Sequence, residues 1–283
     1  KVIFTLFALI EMEIEILLLN PKEPQNSVNS ILKETGCDGL VFDENEKNNI
    51  PENISTYSIP SISDNGNIGT TESNQIDIEK PATIIRTSGS SGNPKYAVHS
   101  LKNHFASANS SNSIIPFGHN DVWILSLPLY HVSGLSILFR AIACGGGVGI
   151  KERKESLISL IKDKLITHVS LVEIQLKQLL DDEKTASQLI GFKCVLTGGG
   201  PVSVKTREAC QSRGIPLRVT YGNTEMASQI ATTSQNAGQI VSKDAGKVLP
   251  HCNVKIADDG EILVKGESLF LGYLEKERLV DPR

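Results

Sequence analysis

Ala82-Thr-Ile-Ile-Arg-Thr-Ser-Gly-Ser-Ser-Gly-Asn-Pro-Lys95 joins two unlike pieces, an apolar run and a turn dense in small polar residues. Ala82 to Arg86 reads as a buried strand. The nine positions from Thr87 to Lys95 then hold three Ser, one Thr, two Gly and a Lys. Glycines let backbone N–H groups approach an anion, hydroxyls add donors, and the Lys adds a point charge. That is the chemistry of a phosphate cradle. The spacing is not G-x-x-x-x-G-K-[ST], so the mechanism of the ordinary P-loop NTPases is not borrowed. A plain Ser/Gly linker is the alternative, and it sits poorly between two apolar strands.

Outward from this turn the pattern alternates. Strands are predicted near 94–99, 121–126, 147–150, 167–171, 192–197 and 217–220, and helices near 100–113, 134–143, 155–165, 172–181 and 203–213. Alternation with near-continuous apolar strands, such as Lys193-Cys-Val-Leu-Thr197, predicts an α/β fold with a mostly parallel sheet covered by helices. On the N-terminal side a helix over 2–11 leads to a strand over 14–19 that stops before Pro21. A helix from Val28 to Thr35, with Gly36 as its C-cap, precedes a strand from Asp38 to Phe42. Residues 44–80 read as a polar connection with little regular structure. Beyond about 235, short strands and turn signals such as Asp258-Asp-Gly-Glu261 predict a small antiparallel unit. Three parts follow: 1–80, a partial first α/β subdomain with a polar linker; 81–235, an α/β subdomain for nucleotide and acid; and 236–283, the start of a β-rich subdomain.

Composition narrows the partners. The 283 residues carry 28 Lys plus Arg against 32 Asp plus Glu, a net charge of −4, which argues against nucleic acid as the main partner. With 40% hydrophobic residues the chain can build a sizeable core. The run Val2–Ile10 has the length of a signal-peptide core, but Glu11, Glu13 and Glu15 follow at once, so a helix leading into a strand is the preferred reading. The stretch is too charged for a membrane span. Five scattered cysteines with no C-x-x-C pair suggest a reducing compartment. The expected location is the cytoplasm, or the plastid stroma in a photosynthetic eukaryote.

Five motifs in order resemble those of the adenylate-forming superfamily, which includes acyl-CoA synthetases, luciferases and peptide-synthetase adenylation domains. They are Thr87–Lys95, Ser126-Leu-Pro-Leu-Tyr-His-Val-Ser-Gly134, Thr197-Gly-Gly-Gly-Pro-Val202, Tyr221-Gly-Asn-Thr-Glu225, and Gly260-Glu-Ile-Leu-Val-Lys-Gly266 followed by Gly272-Tyr273. The resemblance implies the large N-terminal-type domain of these enzymes, with the mobile C-terminal domain absent. It implies that Thr87, Ser88, Gly89, Ser90, Ser91, Gly92 and Lys95 surround phosphate. Gly198, Gly199, Gly200 and Pro201 would lie against adenine, on which Tyr221 stacks. Gly222 and Thr224 would also contact the nucleotide, Glu225 would hold Mg²⁺ between ATP phosphates, and His131 would gate the acid pocket. Thr224, Glu225, Lys95 and His131 are the implied catalytic set. An exposed loop Glu without a role is the alternative for Glu225.

Pro81-Ala-Thr-Ile-Ile85, Ala97-Val-His99 and His131-Val-Ser-Gly-Leu-Ser-Ile-Leu-Phe-Arg140 narrow the resemblance to o-succinylbenzoate–CoA ligases of menaquinone and phylloquinone biosynthesis. There His131, Ser133 and Arg140, with Gly222, would line a pocket for an aromatic dicarboxylic acid. Helical spacing supports this separately, since Ser133, Ile137 and Arg140 fall near one face. An Arg on an apolar helix needs an anion or solvent: either it holds a substrate carboxylate, or it reaches water from a surface helix. The implied chemistry is acyl-adenylate formation from ATP, then transfer to CoA. Another acyl- or aryl-CoA ligase, or a nucleotide-binding module without turnover, are the other readings. Small molecules (a carboxylic acid, ATP and CoA) are the expected partners, and a homo-oligomer is left open. The pattern departs from the family at Lys265, where Arg is commoner, and at Tyr96, where Gly is usual and an aromatic ring is expected to crowd the phosphate loop. The chain also stops ten residues after Tyr273, before the family's ribose-binding segment, and so is expected to be the central part of a ligase.

Overall fold

A computed structural model describes residues 1–43, 54–59, 75–87, 94–151, 155–234, 244–250 and 252–281. Along the chain come α1 (Val2–Glu11), β1 (Ile16–Leu18), α2 (Gln25–Thr35), β2 (Gly39–Phe42), β3 (Ser55–Ser58), β4 (Pro81–Thr87) and β5 (Lys95–Ser100). Then follow α3 (Leu101–Asn112), β6 (Val122–Ile124), α4 (Val132–Cys144), β7 (Gly147–Gly149), α5 (Leu157–Ile161), β8 (His168–Leu171), α6 (Glu173–Leu180) and α7 (Glu183–Leu189). The rest is β9 (Cys194–Thr197), α8 (Val204–Ser212), β10 (Leu217–Asn223), β11 (Ser228–Thr232), β12 (Lys247–Val248), β13 (Cys252–Ile256), β14 (Ile262–Gly266), β15 (Gly272–Glu275) and β16 (Arg278–Val280). Two compact units result, one of residues 1–101 with 270–283, the other of residues 102–269. The sequence pattern, read locally, divided the chain at 80 and 235 instead.

The first unit is a five-stranded sheet in the order β1-β4-β5-β15-β16. Only β1 and β4 run parallel; β4–β5, β5–β15 and β15–β16 are antiparallel. Gly272 pairs with Val98, so the chain's last strands complete a sheet begun by its first. Ile31 of α2 packs on Ile84, Tyr96 and Val98 of the sheet, flanked by Leu17, Leu19, Leu271 and Leu274. As expected, α2 ends at Gly36, which takes φ +70°, a left-handed turn that glycine adopts without strain. Within the segment expected to lack regular structure, β3 forms and pairs in parallel with β2. Residues 44–53 and 60–74 of that segment lie outside the described residues.

The second unit holds a seven-stranded sheet in the order β12-β11-β10-β9-β8-β6-β7. The five strands from β10 to β7 are parallel, and β11 and β12 add antiparallel to one side. Side chains alternate between faces, as the two-residue period of a strand requires. Ile124, Val169, Leu171 and Val195 face α5–α8, meeting Leu160, Leu176, Leu189 and Cys210. Their neighbours Trp123, Cys194 and Leu196 face the other way, onto Ile137 and Ala141 of α4 and onto Ile115 and Phe117. Each fully buried large side chain contributes about 1.5–3 kcal/mol, so the sheet is held by both its faces. The expected antiparallel unit is β13–β14, with Cys252 opposite Gly266.

Some boundaries moved for local reasons. α5 is shorter than 155–165 because Asp163 accepts from Leu165 N at 3.0 Å, closing a turn after Lys162. α7 was not expected; Asp182 caps it, accepting from Lys184 N and from the Thr185 hydroxyl. β10 runs on to Asn223 because β11 folds back onto it.

Candidate functional site

In the second unit the parallel strands β6, β8, β9 and β10 end side by side at Ile124, Leu171, Thr197 and Asn223, and open sheets of this kind bind ligands at that carboxyl edge. The turn after β9 begins at Gly198, whose N–H donates to Leu171 O across the edge at 3.3 Å. Gly199, Gly200 and Pro201 follow, all three exposed, and Ser203 then caps α8. Tyr221 and Gly222 lie within β10, beyond residue 220, where the sequence placed the strand's end. A β-carbon on Gly222 would stand 1.7 Å from Ser228 O, so only glycine allows the β10–β11 contact there. Thr224 and Glu225 form the turn between those strands, closed by Ala227 N donating to Thr224 O at 3.0 Å and by Met226 N donating to Asn223 Oδ1 at 2.9 Å. Both residues are half-buried.

The turn after β6 carries the segment to His131, which caps α4 with extended backbone and whose carbonyl accepts from Gly134 N and Leu135 N. Gly134 seats the helix on this turn: a β-carbon there would meet Pro128 O at 2.1 Å. The His131 ring lies 4.7 Å from Tyr130, and loss of water around it lowers its pKa. Ser133 is half-buried in the first turn of α4, two turns before Arg140.

Arg140 does not reach solvent; it is 2% exposed. Its Nη2 donates to Gln229 Oε1 at 2.7 Å, and its guanidinium lies 4.9 Å from the centre of the Trp123 ring. Its Nε is buried without a hydrogen-bond partner, and it belongs to no ion pair among the described residues. Burial lowers its pKa to about 10, so the group remains a cation at neutral pH. A buried guanidinium with a neutral amide as its hydrogen-bond partner keeps a charge with which an anion could pair. Gln229, Ser111 and Trp123, which surround or support it, were not singled out from sequence. A Gln inside the apolar strand Ser228-Gln-Ile-Ala-Thr232 was the available signal.

The phosphate-loop residues divide differently. Thr87 and Lys95 stand opposite each other at the end of the β4–β5 hairpin in the first unit. Lys95 Nζ rests 4.7 Å from the centre of the Tyr273 ring, a cation–π contact that joins two of the sequence motifs. Ser88, Gly89, Ser90, Ser91 and Gly92 lie outside the described residues. Tyr96 turns into the core beside Ile31, Ile84 and Val98, and its hydroxyl donates to Glu34 at 2.9 Å; the loop residues it was expected to crowd lie outside the described residues. Among the described residues no group of three or more His, Cys, Asp or Glu could hold a metal by itself. A single carboxylate such as Glu225 suits Mg²⁺, which takes few protein ligands and completes its shell with phosphate and water oxygens. No described helix is long and apolar enough to cross a membrane.

Residues 1–274 match the family described as AMP-binding enzyme. The chain is 37% identical over 207 residues to a 2-succinylbenzoate–CoA ligase of Listeria monocytogenes, covering 72% of this chain and 44% of that protein. It is 31% identical to the Bacillus pumilus protein of the same name, covering 98% of this chain and 59% of the relative. Among solved structures it is similar to wild-type E. coli MenE with a bound analogue of OSB-AMS, with TM-score 0.84, 28% identity, and 99% of this chain and 58% of that one covered. It is also similar to Bacillus subtilis o-succinylbenzoate CoA synthetase in complex with ATP and magnesium, with TM-score 0.77, 28% identity, and coverage of 98% and 60%. The chain thus spans about half the length of the curated relatives it matches.

Proposed function

The chain belongs to the AMP-binding enzyme family, and on that premise we propose that it activates a carboxylic acid with ATP for transfer to CoA, the acid being 2-succinylbenzoate. The names of its relatives support the reaction class. The observation that carries the choice of acid is Arg140, buried as a cation without a carboxylate partner among the described residues. A dicarboxylic acid supplies one: the carboxylate that does not react would pair with the guanidinium, and the other would face the nucleotide.

In this reading a substrate carboxylate oxygen attacks the α-phosphorus of ATP, and the bond to pyrophosphate breaks, leaving an acyl-adenylate. The CoA thiol, losing its proton, then attacks the acyl carbon and AMP leaves with the electron pair. No side-chain nucleophile is required; the task is to hold two anions together. Thr87 to Lys95 and Thr224 would hold phosphate oxygens. Gly198–Pro201 and Tyr221 would flank adenine, and Gly222, His131 and Ser133 would line the acid site. Mg²⁺, when bound at Glu225, would neutralise phosphate charge.

Adenylate formation across a panel of acids tests the proposal. 2-Succinylbenzoate should exceed benzoate and aliphatic acids. A preference for benzoate would instead indicate another aryl-CoA ligase and remove the proposed partner of Arg140. Calorimetry with ATP and Mg²⁺ should show binding that Glu225→Ala and Lys95→Ala each weaken.

A further inference from the structure

Gln229 stands at a break in strand register. β10 and β11 pair Tyr221 with Ala231 and then Gly222 with Gln229, so Ile230 is the extra residue of a bulge. In a regular strand Gln229 and Thr232, three positions apart, would face opposite sides of the sheet. The bulge shifts that parity, and Gln229 Nε2 donates to Thr232 Oγ1 at 2.7 Å and to Thr220 Oγ1 at 3.1 Å. On its other side Gln229 Oε1 accepts from Arg140 Nη2 at 2.7 Å and from Ser111 Oγ at 2.6 Å.

The orientation of this amide is fixed by the hydroxyls around it. Thr220 gives its proton to Ala231 O at 2.9 Å, and Thr232 gives its own to Thr220 at 3.1 Å. Each hydroxyl has one proton, so toward residue 229 both can only accept. The NH₂ end must therefore face the threonines and the oxygen must face the guanidinium. All four hydrogen-bonding positions of the amide are used, and the residue is 2% exposed.

We propose that Gln229 is a positioning residue for acid recognition: its amide holds the Arg140 guanidinium in place without neutralising it, so that the cation remains for a substrate carboxylate. This rests on the acid reading above. A carboxylate of the same shape at position 229 would make the ion pair internally and compete with the substrate. A residue without an acceptor would free the guanidinium to move across the Trp123 ring. The neutral amide alone both fixes the geometry and leaves the charge.

The test measures binding of three ligands to the 283-residue chain: 2-succinylbenzoate, 4-oxo-4-phenylbutanoate (the same keto acid without the ring carboxylate), and ATP with Mg²⁺. Gln229→Glu should weaken the dicarboxylate by about ten- to a hundredfold, the range of one charge-assisted contact. The monoacid and ATP should be little affected. Ser111→Ala, which removes one of the two donors on the amide oxygen, should weaken the dicarboxylate only a few-fold. Trp123 is the one tryptophan in the chain, so its emission reports on the guanidinium beside it. Unchanged emission in Gln229→Glu together with lost dicarboxylate preference is the expected signature of charge compensation. Retained preference overturns the proposal. So does equal loss of all three ligands, which would mark a merely structural residue. Arg140→Leu separates the two levels. If it leaves the dicarboxylate preference intact, or if the unsubstituted chain has none, the acid reading falls and this inference falls with it. If Arg140→Leu abolishes the preference and Gln229→Glu does not, only the role of Gln229 is lost.

Discussion

Arg86 in the first unit and Arg140 in the second are treated in opposite ways. Arg86 Nη1 pairs with Glu23 Oε1 at 2.9 Å, and Glu23 also accepts from Ser27. Arg140 is more deeply buried, yet Gln229 offers it only a neutral oxygen. Removing a guanidinium from water costs several kcal/mol, and a structural arginine recovers part of that through its counter-ion. Arg86 has the arrangement expected of an arginine that holds a fold together. Arg140 has the arrangement expected of one kept for a ligand.

Exchanging each arginine for leucine is the sharpest way to break this contrast. Arg140→Leu should lower the affinity for 2-succinylbenzoate by about a hundredfold, or about 2.7 kcal/mol. Its unfolding free energy should stay within about 1 kcal/mol of the parent or rise, because an unpaired buried charge is removed. Arg86→Leu should do the reverse. It strands the Glu23 carboxylate and costs about 1 kcal/mol of stability, with a discount for the partial exposure of the pair, and it should leave the preference among acids untouched. Urea unfolding and calorimetry on both variants decide the matter. If Arg140→Leu proves the more destabilising of the two, Arg140 is a structural residue and the contrast is lost.

An effect on stability alone, well below that of Arg140→Leu on affinity, is expected at Tyr96, the neighbour of Arg86 on the sheet. Its hydroxyl donates to Glu34, and burial together with that bond raises its pKa, so it stays a neutral donor. Tyr96→Phe should cost about 1 kcal/mol, the usual value of one such hydrogen bond. Because the ring packs in the core with Ile31, Ile84 and Val98, ATP affinity should not change. A gain in ATP affinity would restore the view that this side chain crowds the loop.

These comparisons also show which parts of the molecule could be read in the sequence. Local periodicity and caps identified α1, α2, α4, β8 and β9, since each follows from neighbouring residues. Ser126–Gly134, Thr197–Val202 and Tyr221–Glu225 fell at the carboxyl edge of a parallel sheet, each directly after a strand that its apolar run had marked. What could not be read depends on distant pairing. Gly272–Tyr273 looked like part of a terminal β unit, but backbone hydrogen bonding to β5 makes it a strand of the first sheet and sets Tyr273 under Lys95. Gln229 was overlooked for a related reason: a single bulge in β11 decides which way its side chain points, and a two-residue alternation cannot register that shift.

Glu173 supplies a third charge, and with it the contrast extends to pH. It opens α6 and accepts from Ser203 N at 2.9 Å and from the Thr206 hydroxyl at 2.9 Å, with Lys177 Nζ 3.0 Å away. Hydrogen bonds from Ser203, then from Lys177 and Thr206, lower its pKa from 4.5 to about 2. The carboxylate thereby ties α6 to the start of α8, directly after the Gly198–Pro201 turn. A folded-state pKa below the unfolded one means that the ionised form stabilises the fold. That contribution is present above about pH 4.5 and is lost as pH falls toward 2. Glu173→Gln should therefore be less stable than the parent at about pH 5.5, and the gap should narrow on acidification. Urea midpoints for the two proteins at about pH 5.5 and about pH 3 measure it, each pair compared at the same pH. A gap that is constant or widens toward acid would mean that the carboxylate is not the group holding α8. Arg140→Leu should show no such narrowing over the same range, because its guanidinium has no carboxylate partner to titrate.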